Sequence, residues 1–237
     1  MNMTQEDIQA LYAQIDGVLA IFAENKPFPD GGFDRTAVKN TILQLAGYTM
    51  QREEERKSLL DWMETHQFYK APASTRFHGN FEGGLCVHTL QVVFQCFKFA
   101  RPVLNDFFGT KCAEKTELLT AEAIFVAALA HDFCKAESYE TNFRNSKDVF
   151  GNWTKKSYYS VRGDLRNLGH GNESVLLLLE CMPSLVKNRT VIEAVSRHMG
   201  FSDLSELERM NYSNFLTNPL VVLLQLADQT AAAWYGF

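Results

Sequence analysis

A largely helical chain is what this sequence predicts, and three observations carry the prediction. Residues 5–24 place Ile8, Leu11, Tyr12, Ile15, Val18, Leu19 and Phe22 at a spacing that draws one apolar stripe along a helix. Residues 117–133 become apolar on nearly all sides from Ala123 to Ala130, as a helix central to a core would be. Helix punctuation recurs as well. Thr4 with Asp7, and Thr190 with Glu193, read as capping boxes, and Asn218-Pro219 reads as an N-cap followed by N1.

In chain order, the first helix is expected to stop at Asn25-Lys26-Pro27-Phe28-Pro29-Asp30-Gly31-Gly32, the best candidate linker. Helices over 35–46 and 50–66 follow, the second carrying Arg52-Glu53-Glu54-Glu55-Arg56-Lys57, a mixed-sign run that reads as a solvated face. Residues 1–70 are therefore expected to form an N-terminal helical extension packed on the rest, with the functional domain over 71–237. Residues 71–84, rich in Pro, Ser, Asn and Gly, should be an ordered loop leading through Gly83-Gly84 into another helix. Residues 138–168 change character. Asn142, Arg144, Lys155, Lys156, Arg162 and Arg166 alternate with aromatic residues, which reads as loop with a short hairpin near Gly151-Asn152. Helices from His170, over 190–199 and over 219–235 complete the chain.

Composition narrows the function. Hydrophobic residues make up 46% of the 237, enough for a sizeable core, and the formal charge is −5. That balance argues against a surface for long duplex nucleic acid, while leaving room for a nucleotide held by local Arg and Lys. The five Cys are odd in number and show no C-x-x-C pair, so neither a disulfide framework nor a zinc finger is expected. With no basic-then-apolar leader and no apolar run of the ~18 residues a bilayer requires, a soluble cytoplasmic protein is expected.

The chemistry gathers at Leu129-Ala130-His131-Asp132-Phe133-Cys134-Lys135, where an apolar helix ends on a His–Asp pair. A buried carboxylate without a partner costs several kcal/mol. His88 shares a helical face with Leu85 and Val92, and His198 with Val191 and Val195. His170 stands between two glycines, and Asp228 interrupts the apolar run Val221–Ala227. Each has a plainer reading: a hydrogen-bonded core histidine, a helix cap, or an acid paired with Lys or Arg. Together they are odd polar groups on several apolar helix faces, and imidazole with carboxylate is a donor set for divalent Zn, Fe, Mn or Ni. A helical bundle can converge such side chains on one point.

The ordered set His88, His131-Asp132, His170, His198 and Asp228 resembles the HD-domain superfamily of metal-dependent phosphohydrolases. Local matches are Gly83-Gly84-Leu85-Cys86-Val87-His88-Thr89-Leu90, His131-Asp132-Phe133-Cys134-Lys135, Leu168-Gly169-His170-Gly171, Arg197-His198-Met199-Gly200 and Leu226-Ala227-Asp228. The likeness spans about 71–235. It is nearest to uncharacterised bacterial and phage HD hydrolases and more distant from the HD-domain 3′–5′ exoribonucleases. Phe133 and Ala136 depart from the commonest pattern. The resemblance implies an all-α fold, an HD-domain helical bundle, with two metal ions drawn from Fe, Mn, Ni, Co or Mg. By that pattern His88, His131, Asp132 and Asp228 hold the first ion, and Asp132 bridges to a second completed by His170 and His198.

The expected activity is hydrolysis of a phosphomonoester or phosphodiester in a nucleotide, cyclic dinucleotide or short oligonucleotide, with Asp132 as the residue whose loss hurts most. Lys135 either contacts the phosphate or pairs with an acid. Arg76 and His78 are candidates for substrate contact, His78 also for leaving-group protonation. Arg144, Lys155 and Arg162 are candidates for substrate binding through the 138–168 insertion. The same ligands would also suit a di-iron oxygenase of HD fold, whereas a nucleotide sensor without turnover would not need an intact set. The N-terminal amphipathic helix could serve a homo-oligomer.

Overall fold

The structure is a computed structural model and describes residues 3–115, 119–165, 168–202 and 204–236. Most of it is helical, with one two-stranded antiparallel sheet. The helices are α1 (Gln5–Asn25), α2 (Arg35–Thr49), α3 (Glu53–Thr65), α4 (Gly84–Phe108), α5 (Ala121–Ala130), α6 (His170–Cys181), α7 (Arg189–Arg197), α8 (Glu206–Met210) and α9 (Pro219–Trp234). Strands β1 (Tyr139–Lys147) and β2 (Trp153–Val161) lie between α5 and α6. Among the described residues, no helix is long and apolar enough to cross a membrane.

Local sequence explains the helix ends. Thr4 and Asp7 form the expected capping box, and α1 stops where Lys26 turns left-handed at φ 45°. The Asp34 side chain caps α2 by accepting from the Ala37 N–H. The stripe of α1 is buried through Leu11, Tyr12, Ile15, Val18 and Phe22, and it shares one apolar core with α2, α4 and α5. Arg101 of α4 fastens that contact, stacking over Tyr12 and pairing with Asp16 at 2.6 Å. The Arg52–Lys57 run is mostly exposed, but Glu55 accepts from the Ser184 N–H and hydroxyl at 3.0 and 2.8 Å. One acid of the solvated face thus ties α3 to the turn after α6.

Helix α5 begins at Ala121, where the Thr120 hydroxyl accepts from the Ala123 N–H. Glu117 and Leu118, where an earlier start was expected, lie outside the described residues. Nine of its ten residues are buried, and it ends with His131 as C-cap. A tight 3-10 turn over Phe133–Lys135 follows. Phe133 is fully buried, stacked on Trp62 at 4.5 Å and edge-on to Phe68 at 5.7 Å. An aromatic ring stands here because α3 and the segment after it leave a cleft of that size against the turn. Truncating such a ring costs about 3–5 kcal/mol.

Two expectations are corrected. The cap of α7 is Asn188, whose side chain accepts from the Val191 N–H, rather than Thr190. Glu193 instead accepts from the side-chain amide of Asn218, the residue that also caps α9, so the predicted box is replaced by a bond between two helices. The hairpin expected near Gly151-Asn152 is present but longer than expected, so the insertion is not mostly loop: β1 and β2 pair from Tyr139↔Val161 to Lys147↔Trp153. The Asp148 carboxylate closes the turn by accepting from the Phe150 and Asn152 N–H groups, with Gly151 at φ 84°. The ladder forms because β-branched and aromatic residues favour extended backbone. Hydrophobic alternation does not mark its full length because both faces are largely solvated. Arg166 of the insertion lies outside the described residues.

Candidate metal centre

Four helices bring polar side chains together inside the bundle. Helix α4 brings His88, the end of α5 brings His131 and Asp132, and α9 brings Asp228; the end of α7 adds His198. The loop before α4 is anchored by close backbone packing. A β-carbon on Gly84 would collide with the Gly79 carbonyl oxygen, so only glycine lets the loop fold back on the helix start. Arg35 of α2 holds the same loop by donating to the Glu82 carbonyl at 2.6 Å, and Phe33 stacks on Phe81 at 5.1 Å.

His88, His131, Asp132 and His198 are almost fully buried, at 3%, 0%, 2% and 1% exposure, so their polar atoms cannot rely on water. His131 Nε2 lies 3.2 Å from Asp132 Oδ2, and His88 Nε2 lies 3.8 Å from the same oxygen. His88 Nε2 is 3.1 Å from Asp228 Oδ1, and His131 Nε2 is 3.9 Å from it. On the other side of the carboxylate, His198 Nε2 is 3.5 Å from Asp132 Oδ1. Lys135 Nζ donates to Asp132 Oδ2 at 2.7 Å. Of the two readings for Lys135, the structure places it against the acid.

The ring tautomers are set by the backbone. His131 Nδ1 sits 2.7 Å from the Ala128 carbonyl, and His198 Nδ1 sits 2.8 Å from that of Val195. A carbonyl only accepts, so each Nδ1 carries the proton and each Nε2 turns a lone pair inward, the arrangement usual for metal-ligating histidines. Among the described residues, His88 Nε2, His131 Nε2, His198 Nε2 and Asp132 Oδ1 are buried with no hydrogen-bond partner. Orphaned buried polar atoms are costly. Unpartnered atoms on both sides of one carboxylate are what bound cations would satisfy, and His88, His131 and Asp132 could hold a metal ion.

The charges are tuned accordingly. Burial works against ionisation of Asp132, but Lys135 and His131 overcome it and hold the carboxyl well below the usual range. Asp228 is likewise lowered, against burial, by His88 and His131. Burial lowers His88, whereas in His131 the nearby Asp132 outweighs burial and raises the ring. His78 is pushed down to about 4, chiefly by burial and then by repulsion from His88.

Comparison with protein-family models, curated proteins and solved structures finds no match for this chain. The geometry alone places the remaining candidates. His170 opens α6, and its ring forms a second group with Asp132 and Cys134, one donor atom of each lying within 4.8 Å of the others. Gly171 permits this position because a β-carbon there would run into the Ser196 carbonyl of α7. His78 packs on His88, with ring centroids 4.6 Å apart.

Arg76 and Arg144 line a cavity of about 940 Å³ between the 75–82 loop and the hairpin, together with Phe81, Lys156, Tyr158, Tyr159 and, on the acidic side, Glu82. Lys155 is not among its lining residues; it pairs with Asn145, whereas Lys156, which does line the cavity, pairs with Arg144. Arg162 lines a separate cavity beside Tyr139 and is bound to Asp164 at 2.8 Å. Sequence reasoning passed over Lys156 and Cys134. Finding the first requires the register that pairs it with Arg144, and the second stands in the His131–Lys135 motif with no role assigned to it.

Proposed function

We propose that this protein is a metal-dependent phosphohydrolase of the HD-domain type, acting on a phosphomonoester or phosphodiester of a nucleotide, cyclic dinucleotide or short oligonucleotide. The observation that carries the reading is Asp132, a buried carboxylate with Oδ2 towards His131, His88 and Lys135 and Oδ1 towards His198, Oδ1 having no hydrogen-bond partner among the described residues. A carboxylate so divided suits a bridge between two divalent cations. His88, His131, Asp132 and Asp228 would hold one, and Asp132, His170 and His198 the other, with Fe, Mn, Ni, Co or Mg as candidates. When bound, such a pair lowers the pKa of a coordinated water and offsets charge on phosphoryl oxygens.

The chain's own side chains supply the rest. The cavity is of the size that holds small ligands. Arg76, Arg144 and Lys156 would grip phosphate oxygens there, while Phe81, Tyr158 or Tyr159 stacks a base. The cavity is not lined by the metal ligands themselves; Arg76 of its wall and His78, which packs on His88, belong to one loop, and that loop would link a substrate held in the cavity to the centre. Burial keeps His78 neutral near pH 7, which suits accepting a proton or a hydrogen bond more than protonating a leaving group. Lys135, already 2.7 Å from Asp132, orients that carboxylate and places a positive charge beside it.

The test is a panel of nucleotides, cyclic dinucleotides and short oligonucleotides incubated with the metal-free protein and added Mn²⁺, Fe²⁺, Ni²⁺, Co²⁺ or Mg²⁺. Metal-dependent release of phosphate or mononucleotide, lost in Asp132→Ala, is expected. A metal-loaded protein without turnover on the whole panel would contradict the reading.

A further inference from the structure

We infer that Cys134 is a thiolate ligand of the second cation, so that one half of the centre binds through nitrogen and oxygen and the other half also through sulfur. The inference rests on the two-cation reading above and adds a donor which that reading lacks.

Proximity is the first support. One donor atom each of Asp132, Cys134 and His170 lies within 4.8 Å of the others. Ligand bonds of about 2.0–2.3 Å put two donors of one tetrahedral ion roughly 3.5 Å apart, so small side-chain rotations close the set. Availability is the second. Asp132 Oδ2 is engaged by Lys135, whereas the buried Oδ1 has no hydrogen-bond partner among the described residues. The third support is fixation. The Cys134 N–H donates at 3.2 Å to the hydroxyl of Ser174, one turn beyond His170 on α6. Ser174 is fully buried, so this bond ties the turn after α5 to the helix that opens with His170 and sets Cys134 and His170 in register.

Sulfur changes which metals fit. A site of imidazole, carboxylate and thiolate favours Zn²⁺, Co²⁺ or Fe²⁺ over Mg²⁺ and Mn²⁺, which prefer oxygen. The two halves of the centre should therefore differ in metal preference, the Cys134 half taking the softer ion.

Cobalt reports the donor directly. Metal-free wild-type protein is titrated with Co²⁺ under anaerobic, reducing conditions, with bound metal per chain and near-ultraviolet absorption recorded together. The expected result is two Co²⁺ per chain, with a sulfur-to-cobalt charge-transfer band that grows with the second equivalent. Cys134→Ser and Cys134→Ala should abolish the band and weaken the second equivalent at least tenfold, while the first stays bound. Two bound Co²⁺ without the band, or a band that survives both substitutions, overturns the assignment of Cys134 and leaves the two-cation reading standing. A folded wild-type protein that binds fewer than two Co²⁺ overturns both. X-ray absorption of the Zn²⁺-loaded wild type requires no variant: a sulfur shell at about 2.3 Å is expected, and a shell of nitrogen and oxygen alone contradicts the inference.

Discussion

Replacing Asp132 by Asn keeps the volume of the side chain and removes the charge at the point where most of the site's contacts meet. Lys135 Nζ lies 2.7 Å from the carboxylate, with side-chain exposures of 13% and 2%. Coulomb attraction at that distance is about 6 kcal/mol at an effective dielectric of about 20, before desolvation is set against it. Stripping one partner from a buried pair costs roughly 3–5 kcal/mol, because the remaining ion stays buried. Relief of repulsion with Asp228, which Asp132 acts to raise, trims that towards the lower figure. At about 2–4 °C per kcal/mol for a chain of this size, Asp132→Asn should melt on the order of 6–15 °C below wild type in the presence of chelator.

Metal should widen the gap. A ligand at about a hundred times its Kd adds roughly 2.7 kcal/mol to the wild type and nothing to a variant that no longer binds it. Differential scanning calorimetry with chelator, then with Mn²⁺ or Co²⁺, reads both numbers. An Asp132→Asn protein that melts with wild type in chelator, or that keeps the full metal-induced rise, would show that Asp132 is neither the hub of the ion pairs nor a ligand.

Other outcomes follow from the same contacts. Arg144→Ala and Lys156→Ala should each raise KM about ten- to a hundredfold, the worth of one charge-assisted bond, with the metal content unchanged; equal loss of kcat and metal would place these residues elsewhere. Gly84→Ala forces a β-carbon against the Gly79 carbonyl and should cost about 1–3 kcal/mol, read as a fall in denaturant midpoint. His78, lowered to about 4 from an ordinary 6.5, makes the unfolded chain bind more protons between those values. Its contribution to metal-free stability is thus complete above about pH 6.5 and is lost as pH falls towards 4, by about 1–2 kcal/mol once its partial exposure is discounted. The lowered His88 acts in the same direction, the raised His131 in the opposite one. His78→Gln should flatten the fall between pH 7 and 5, and an unchanged slope would mean the ring is not held neutral.

The helices were readable where their signals are local. The Thr4 box, the stripe of α1, the apolar α5 and the Asn218-Pro219 start of α9 each depend on neighbours within a few residues. What the sequence hid is what depends on distant partners. Glu193 looked like a capping acid until Asn218, 25 positions away, claimed it. Phe133 looked like a departure from a pattern, and its reason is a cleft made by Trp62 and Phe68. The hairpin buries neither face fully, so hydrophobic alternation does not mark its full length, and without its register Lys155 could not be told from Lys156. The polar cluster was legible because each member breaks an apolar helix face. That several of their inward nitrogens and oxygens lack hydrogen-bond partners among the described residues could be seen only in three dimensions.

The measurement that bears most directly on the proposed hydrolysis, in which water attacks the phosphoryl group, is isotopic. Metal-reconstituted protein is given its best nucleotide substrate in heavy-oxygen water, and the product is weighed by mass spectrometry. One solvent oxygen should appear in each released phosphate or nucleotide, with none from dissolved O₂ and none in the Asp132→Ala control. Product oxygen drawn from O₂, or a fully metal-loaded protein that forms no labelled product from any substrate, would contradict hydrolysis at this centre.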